Sequence, residues 1–512
     1  MTLGRTRAVG LQGLAGFVVD VEVDVSAGLP QFLVSGRPDA SCRQSPDRVK
    51  AAAANCGHQV AQRRVTVNLS PASVPKVGSG FDLGICVAVL VASEVIAARV
   101  VQDVVHLGEL GLDGAVRPVR GVLPLVLAAA RAGLRHVVVP VANAAEARLI
   151  QGVQVHPVAH LGELVTRYHL LAAGVTPPEV DEPQHEVQPD PGWPDLVDIV
   201  GQDEPRRALE TAAAGGHHLY LVGPPGAGKT MLAERLPGLL PPLDDEQAME
   251  VTAVASILGT PGALTSLQRR PPLVAPHHGA SMPAIVGGGT NPVMPGAVTQ
   301  AHHGVLFLDE APEFQVSVLQ ALRQPVESGV VVIGRAMGRF RFPCRFQLVL
   351  AANPCPCGMG YGKGDRCRCP PMRRSSYLNK IRGPLLDRVD IQVFVAAPSR
   401  ATLVLEPGET TAVVAARVRA ARAIQAERWA HLGLRLNAHV PGPIFRNGPM
   451  RLPRPVTHHL DAALDRGLTM RSYDRCLKLA WTLADLRGAD VPGGDDVGMA
   501  LGLRCQDGEV AA

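Results

Sequence analysis

The amino-acid sequence predicts an α/β protein. A buried parallel sheet lies mid-chain, with a second α/β unit before it and a helical unit after it. Three observations carry this. Four short apolar runs ("HLYLVG" at 218–223, "GVLFLDE" at 304–310, "FQLVLAANP" at 346–354 and "RVDIQVFV" at 388–395) are separated by stretches long enough for helices, as strands covered on both faces require. Near the start, Val19-Asp-Val-Glu-Val-Asp-Val25 alternates strictly, the pattern of a half-buried strand. After Thr410 the pattern turns helical, and Leu477, Ala480, Trp481 and Ala484 fall on one helix face.

The chain's 512 residues leave room for two to four domains. With 46% hydrophobic and 19% charged residues the composition is globular. A net charge of +4 is too small to imply nucleic acid by itself, so any basic surface must be local. No run of 18 uncharged apolar residues exists, and the best candidate, Ile85–Ala92, meets Ser93 and Glu94. Asp20, Glu22 and Asp24 interrupt any apolar signal core near the start. A cytoplasmic protein with no membrane contact is expected. Ten cysteines in so long a chain do not read as a disulfide scaffold.

Taken in order, residues 1–172 read as one α/β unit. Ser45-Pro46-Asp47 is a helix start, with a capping hydroxyl and proline at the first helical position. The alanine-rich run after it stops at Gly57. "RRVTVNLSP" and "HVVVPV" are further strands. Residues 173–194, rich in proline and acids, read as an extended linker. Residues 195–400 hold the parallel sheet, and 401–512 the helical unit.

The chemistry concentrates in the central unit. Gly223-Pro224-Pro225-Gly226-Ala227-Gly228-Lys229-Thr230 fits G-x-x-x-x-G-K-[ST], after an apolar strand and before a helical "MLAERL". In such a loop backbone N–H groups cradle phosphates, the lysine reaches the β/γ-phosphates and the hydroxyl ligates Mg²⁺. ATP and Mg²⁺ are therefore the expected cofactors. Asp309 and Glu310 end an apolar strand, the placement for one acid holding the metal and one polarising water. Asn353 ends the next strand, beside the expected γ-phosphate. Arg388, before a strand, and Arg471, before a helix starting near Ser472, are candidates for charge compensation.

Two further segments flank the acids. "GASMPAIVGGGTNPVMPGAVTQ" is rich in glycine and proline and suits a projecting loop. Val330–Ile333 and Arg339–Phe342 flank "GRAMG", a β-hairpin signature. In its second arm Phe340 and Phe342 point one way, Arg339 and Arg341 the other, with Arg335 at the tip. The hairpin reads either as an ordinary exposed ribbon or as a lever for an anionic polymer. With aromatics at 4% of the chain, contact would be with the backbone of a strand rather than with stacked bases.

These segments, with "DIVGQDEPRRALETAAAGGHHLYLVGPPGAGKTMLAERLP", "APHHGASMPAIVGGG", "LRQPVESG" and "AANPCPCG", resemble the Mg-chelatase-like AAA+ ATPases of the YifB/ComM type. "RPDASCRQSPDRVKAAAANCG" is similar to that family's amino-terminal domain and "RCLKLAWTLADL" to its helical lid. The resemblance implies a P-loop AAA+ core with a helical lid after an S5-like α/β domain. It implies Walker A at Gly223–Thr230, Walker B acids Asp309 and Glu310, sensor 1 at Asn353, an arginine finger at Arg388 and a sensor-2 arginine at Arg471. The lid departs from the family pattern at Met470 and Trp481, which leaves Arg475 as a substitute for Arg471. The resemblance also implies a homo-hexameric motor on single-stranded or branched DNA, a branch-migration helicase in recombination or uptake of foreign DNA, with Arg335, Arg339 and Arg341 on the strand. A magnesium-chelatase-like metal-insertion subunit and an ATP-gated binding module without net work are the other readings.

Cys355, Cys357, Cys367 and Cys369 form two C-x-C pairs around a glycine-rich turn. Four thiolates suit tetrahedral Zn²⁺; free thiols and a redox disulfide are the alternatives. His277-His278 and His302-His303 are expected to point apart and to serve as hydrogen-bonding groups. Lys76 and Ser79 in "PKVGSG" miss the spacing of a Lon-type Ser/Lys dyad, since Gly80 stands where the serine would be. An assembly or binding platform is expected there rather than a protease.

Overall fold

The computed structural model describes residues 3–60, 63–178, 192–259, 264–289, 292–335, 338–361, 366–381, 385–398 and 406–504. Most of the expected linker, residues 179–191, lies outside them, as does the hairpin tip at 336–337.

The first unit is built on a seven-stranded mixed sheet, in the order Gln31–Ser35, Arg64–Ser70, Ala15–Ser26, Leu3–Gln12, Val104–His106, His136–Pro140, Gln154–Val158. Leu3–Gln12 and Ala15–Ser26 pair antiparallel as a long hairpin. Val19, Val21 and Val23 are fully buried, so the strict alternation is a half-buried strand. After its first residue, Asp82, helix Asp82–Ala92 is apolar all round, and it is buried along its whole length, which makes it a core helix rather than a surface one. It lies so close to the sheet that a Cβ on Gly4 would stand 2.0 Å from the Ala88 carbonyl oxygen.

One local expectation is corrected. Helix Ser45–Asn55 starts where expected, but Gln44 occupies the cap position without a side-chain bond. The Ser45 hydroxyl instead donates to the buried Asp82 carboxylate, which also accepts from Arg48. A buried carboxylate needs such donors more than the helix end, which water can reach, needs a cap.

The central unit carries five strands, all parallel, in the order Leu273–Val274, Val305–Leu308, Gln347–Ala352, Leu219–Val222, Ile391–Phe394. Alternate residues feed two cores. Leu219, Leu221, Phe307, Val349 and Val393 pack beneath helices Asp203–Gly215 and Lys229–Leu239. Tyr220, Val222, Leu306, Leu308 and Leu350 pack on the opposite face with Phe314, Leu319 and Phe342.

Helices Thr411–Trp429, Gly442–Asn447, Arg454–Asp465, Met470–Arg487 and Gly494–Arg504 form the helical unit. It joins the first core through Trp429, Phe445 and Trp481. A buried polar junction locks it in place. Asp390, 3% exposed, meets Arg475 of the long helix, the His217 ring and the His218 backbone N–H. Although burial opposes ionisation, Arg475 and His217 hold the Asp390 carboxyl well below the usual range.

Among the described residues, the first unit meets the central one at two regions. Gly121 and Leu123 donate backbone N–H groups to the carbonyl and hydroxyl of Ser256, on helix Asp245–Leu258. The turn of the long hairpin seats Gln12, Gly13 and Leu14 against strand Gly338–Pro343. The Gln12 amide donates to the Arg339 carbonyl at 3.1 Å, and a Cβ on Gly13 would stand 2.4 Å from the Arg341 carbonyl oxygen.

Candidate active site

Strand Leu219–Val222 ends at Gly223, and helix Lys229–Leu239 begins six residues later. Gly226 and Gly228 adopt φ of +75° and +92° with nothing within 4 Å of an added Cβ. The loop needs glycine for its backbone turn and keeps an open concave side. The helix N-terminus aims its unpaired N–H groups there, a ready anion site.

Lys229 is 8% exposed, and its ammonium donates to the carbonyls of Gly223 and Pro224 at 2.7 and 2.9 Å and to Asn353 Oδ1 at 3.1 Å. Burial pulls its pKa down, while Asp309 and Glu310 oppose the shift. The Thr230 hydroxyl donates to Asp309 Oδ2 at 2.8 Å, and the Glu310 backbone N–H donates to Asp309 Oδ1 at 2.8 Å. Loop, both acids and Asn353 therefore converge at one end of the sheet, although 124 positions separate Lys229 from Asn353.

Glu310 sits at φ +49°, left-handed for a residue with a side chain. His278 Nδ1 lies 3.6 Å from its Oε2. His278 was not among the site residues expected from sequence. Its only sequence signal is the histidine pair, whose reach to an acid 32 positions on depends on the fold. Gln202 was missed as well. Its amide bridges the carbonyls of Ala227 in the loop and Ala396 after the last strand, at 3.2 and 2.8 Å. Beside it a cleft of about 230 Å³ is lined by Gln202, Asp203, Glu204, Phe394 and Pro398.

The arginines divide. Arg388 is half-buried and pairs with Glu327. Arg471 is exposed in the first turn of helix Met470–Arg487, not before it. Arg475 is committed to Asp390, so it does not substitute for Arg471.

Strands Val330–Arg335 and Gly338–Pro343 pair antiparallel. Val331, Ile333, Phe340 and Phe342 are buried, and Arg339 and Arg341 are exposed, so the arms divide by face as expected. Arg335 is tied down, its Nε donating to the Gly289 carbonyl at 3.0 Å. It therefore joins the hairpin to the glycine- and proline-rich segment that holds Gly289.

The four clustered thiols converge. Cys355 Sγ lies 3.3 Å from Cys357 and 3.6 Å from Cys367, and Cys357 lies 3.7 Å from Cys367. All four sulfurs fall within 4.8 Å of one another. A tetrahedron of sulfurs ~2.3 Å from zinc has edges of ~3.8 Å, so the set fits Zn²⁺. The Met359 backbone N–H and the neighbouring Cys355 thiol pull the Cys357 thiol down, and burial pushes the Cys355 thiol up. Gly360 N–H points at Cys355 Sγ at 3.2 Å. Gly358, at φ +77°, packs against the phosphate loop, where its Cβ would stand 2.5 Å from two ring carbons of Pro225.

Adjacent histidines do not point apart here. His302 and His303 both reach Glu250 Oε2, at 2.8 and 2.7 Å. His303 adopts φ +57°, which swings its ring to the same side. Nδ1 of His302 accepts the Arg345 N–H at 3.0 Å, so Nε2 carries the proton and donates to Glu250. That tautomer suits hydrogen bonding and leaves no lone pair for a metal. In the first unit Lys76 is fully buried with its ammonium on the Pro71 carbonyl, and Ser79 donates to Glu109. The two form no dyad. Among the described residues, no helix is long and apolar enough to cross a membrane.

Residues 195–403 match the family described as magnesium chelatase, subunit ChlI. Residues 21–143 match subunit ChlI of Mg-chelatase, and 408–504 match the C-terminal part of that subunit. An uncharacterized protein of Mycobacterium tuberculosis is 46% identical over 98% of this chain and 99% of its own length. Competence protein ComM of Haemophilus influenzae is 39% identical over 98% of both chains. The uncharacterized protein YifB of Escherichia coli is 38% identical over 96% of this chain and 94% of its own. Three family matches spanning most of the chain, end-to-end similarity to YifB and ComM, and a phosphate loop on a parallel sheet agree: the chain belongs to the Mg-chelatase-like AAA+ ATPases of the YifB/ComM type.

Proposed function

We propose that the protein is an ATP-driven ring motor acting on DNA, a branch-migration helicase in recombination or uptake of foreign DNA, working as a cytoplasmic homo-hexamer. One observation carries the reading: the convergence of Lys229 on Asn353 and of Thr230 on Asp309 lies in the same unit as a hairpin that buries one face and exposes Arg339 and Arg341 on the other. End-to-end similarity to a competence protein supports the link to foreign DNA.

The residues fit Mg·ATP. An open glycine cradle faces a buried ammonium, and a hydroxyl–carboxylate pair offers hard oxygen donors. Gly223–Thr230 would hold the phosphates, Thr230 and Asp309 the Mg²⁺, and the cleft beside Gln202 the base. Mg²⁺ held there would supply neutralising charge to the transferring phosphoryl group. Lys229 gives up backbone carbonyls for phosphate oxygens. Glu310 takes the proton of the attacking water, and His278 and the Asp309 contact fix where it points. Asn353 orients that water. Arg388 of a neighbouring subunit stabilises developing charge once freed from Glu327, and Arg471 belongs to the same charge compensation from the lid. Arg339 and Arg341 meet strand phosphates without reading sequence, and Arg335 links their hairpin to the adjoining insertion. Cys355, Cys357, Cys367 and Cys369 would hold a structural Zn²⁺.

The test measures ATP hydrolysis with and without a branched DNA, together with strand displacement. Stimulated hydrolysis with displacement is expected. Lys229→Ala should not bind nucleotide, and Glu310→Gln should bind ATP and DNA without turnover. Hydrolysis indifferent to DNA, or Arg339→Ala/Arg341→Ala rings with undiminished DNA affinity, would overturn the reading.

A further inference from the structure

Arg366, Arg368, Arg373, Arg374 and Lys380 lie in a fifteen-residue stretch without an acid. That local charge exceeds the +4 of the whole chain. Arg366, Arg368 and Arg373 are exposed and Arg374 is half-buried. Among the described residues, none of these four guanidiniums makes an ion pair or a side-chain hydrogen bond. Several other arginines are neutralised instead: Arg48, Arg235, Arg417, Arg428, Arg475 and Arg487 each sit on a carboxylate. Lys380 differs from the four, since its ammonium donates to the Pro312 carbonyl at 2.8 Å and fastens the end of the segment to the central unit.

The placement is specific. Arg366 and Arg368 flank Cys367 in the thiol cluster. Only Pro370 separates Cys369 from helix Pro371–Asn379, which carries Arg373 and Arg374 beside exposed Ser375 and Ser376. Four convergent sulfurs tie this stretch to Cys355, two residues past Asn353. The arginines are thus held on a stapled support next to the phosphate loop rather than on a free tail. Unpaired guanidiniums with hydroxyl donors among them suit phosphodiester oxygens.

We propose that this stapled basic segment is a second DNA contact, gripping the phosphate backbone on elements distinct from the Arg339/Arg341 hairpin. It rests on the reading of the protein as a DNA motor. The stroke of the hairpin would then pull against a strand that the segment retains, and the staple keeps the two grips in register.

The experiment uses the full chain and a fluorescein-labelled four-way junction, with anisotropy followed across a salt series. Arg366→Ala/Arg368→Ala/Arg373→Ala/Arg374→Ala is compared with Arg339→Ala/Arg341→Ala. Zinc content and ring mass by native mass spectrometry are measured on both. The fourfold variant should keep its zinc and ring mass, lose at least about tenfold in affinity at low salt, and lower the slope of log affinity against log salt by about three. Cys367→Ser/Cys369→Ser should lose zinc and the same share of affinity; if it does not fold, the arginine variant alone decides. Unchanged affinity and slope in the fourfold variant, with binding lost in the hairpin variant, overturns the second grip and leaves the motor standing. A smaller ring mass with normal affinity per assembled ring assigns the surface to a subunit contact and overturns it too. Failure of the unaltered protein to bind the junction removes the motor reading itself.

Discussion

Gly358→Ala probes whether the cysteine loop braces the phosphate loop. The glycine stands at φ +77°, and its absent Cβ would fall 2.5 Å from Cδ and Cγ of Pro225. Carbon atoms settle at ~3.5 Å or more, so one loop must retreat by about 1 Å. Pro225 is a rigid ring within the loop that presents backbone N–H groups to phosphate, so part of that displacement passes to the donors. A misplacement of ~1 Å in a positioning element costs roughly a hundredfold when it is not relaxed elsewhere. The left-handed backbone adds about 1–2 kcal/mol against alanine. Nucleotide affinity is therefore expected to fall about ten- to a hundredfold, with a thermal midpoint lower by a few degrees. Calorimetric titration with ADP and a thermal melt read both. Gly360→Ala is the control: its Cβ would stand 3.0 Å from Cys355 Sγ, so it disturbs the thiol cluster without touching Pro225. Wild-type ADP affinity in Gly358→Ala, with an unchanged melt, would refute the bracing contact.

Four other outcomes follow from the geometry. Asp390→Ala strands Arg475 and His217 at the lid junction and should cost about 3 kcal/mol, read in a denaturant melt; a loss under 1 kcal/mol would show that the junction is dispensable. Arg388→Ala should lower turnover about a thousandfold while ATP affinity stays within a few-fold, and parallel losses in both would deny it a role confined to the transition state. His278→Ala should lower kcat roughly ten- to a hundredfold with little change in KM, since Glu310 keeps its charge and loses its guide; an unaltered kcat would remove that assignment. Desolvation pulls His218 down to about 4, and its ring already accepts the Leu348 N–H. Below the ordinary value near 6.5 the unfolded chain binds more protons than the folded one. The His218 contribution to stability should therefore be full above pH 6.5 and fall as pH drops through the interval to about 4; a flat melting temperature across it would contradict a neutral His218 ring.

Local pattern made much of this fold legible. The alternation of Val19–Val25, the apolar runs of the parallel sheet and the alternating arms of the hairpin are one-dimensional signals of a face and its period. The phosphate loop is legible for the same reason, because its glycines and lysine act within eight consecutive positions. What stayed hidden depends on distant partners or single backbone angles. Asp390 read as part of a strand, yet its partners His217 and Arg475 lie 173 and 85 positions away. His302 and His303 defied the expectation for adjacent side chains because one of them is left-handed. Ser45 looked like a cap until Asp82, 37 positions on, proved to be its acceptor. No pattern in "CPCGMG" announces that Gly358 rests on Pro225, since that contact arises from packing.

The turn at Gln12–Leu14 sits on the backbone of the arginine strand, while Gly121 and Leu123, at the start of helix Val122–Arg131, fasten the same unit to helix Asp245–Leu258. One mooring is on the arginine hairpin and the other is not. In the motor cycle proposed above, any excursion of the hairpin would therefore tow the whole amino-terminal sheet or snap the Gln12 tether. The sheet would then act as a flywheel on that stroke, and whatever docks on its outer face would feel, and could brake, each cycle.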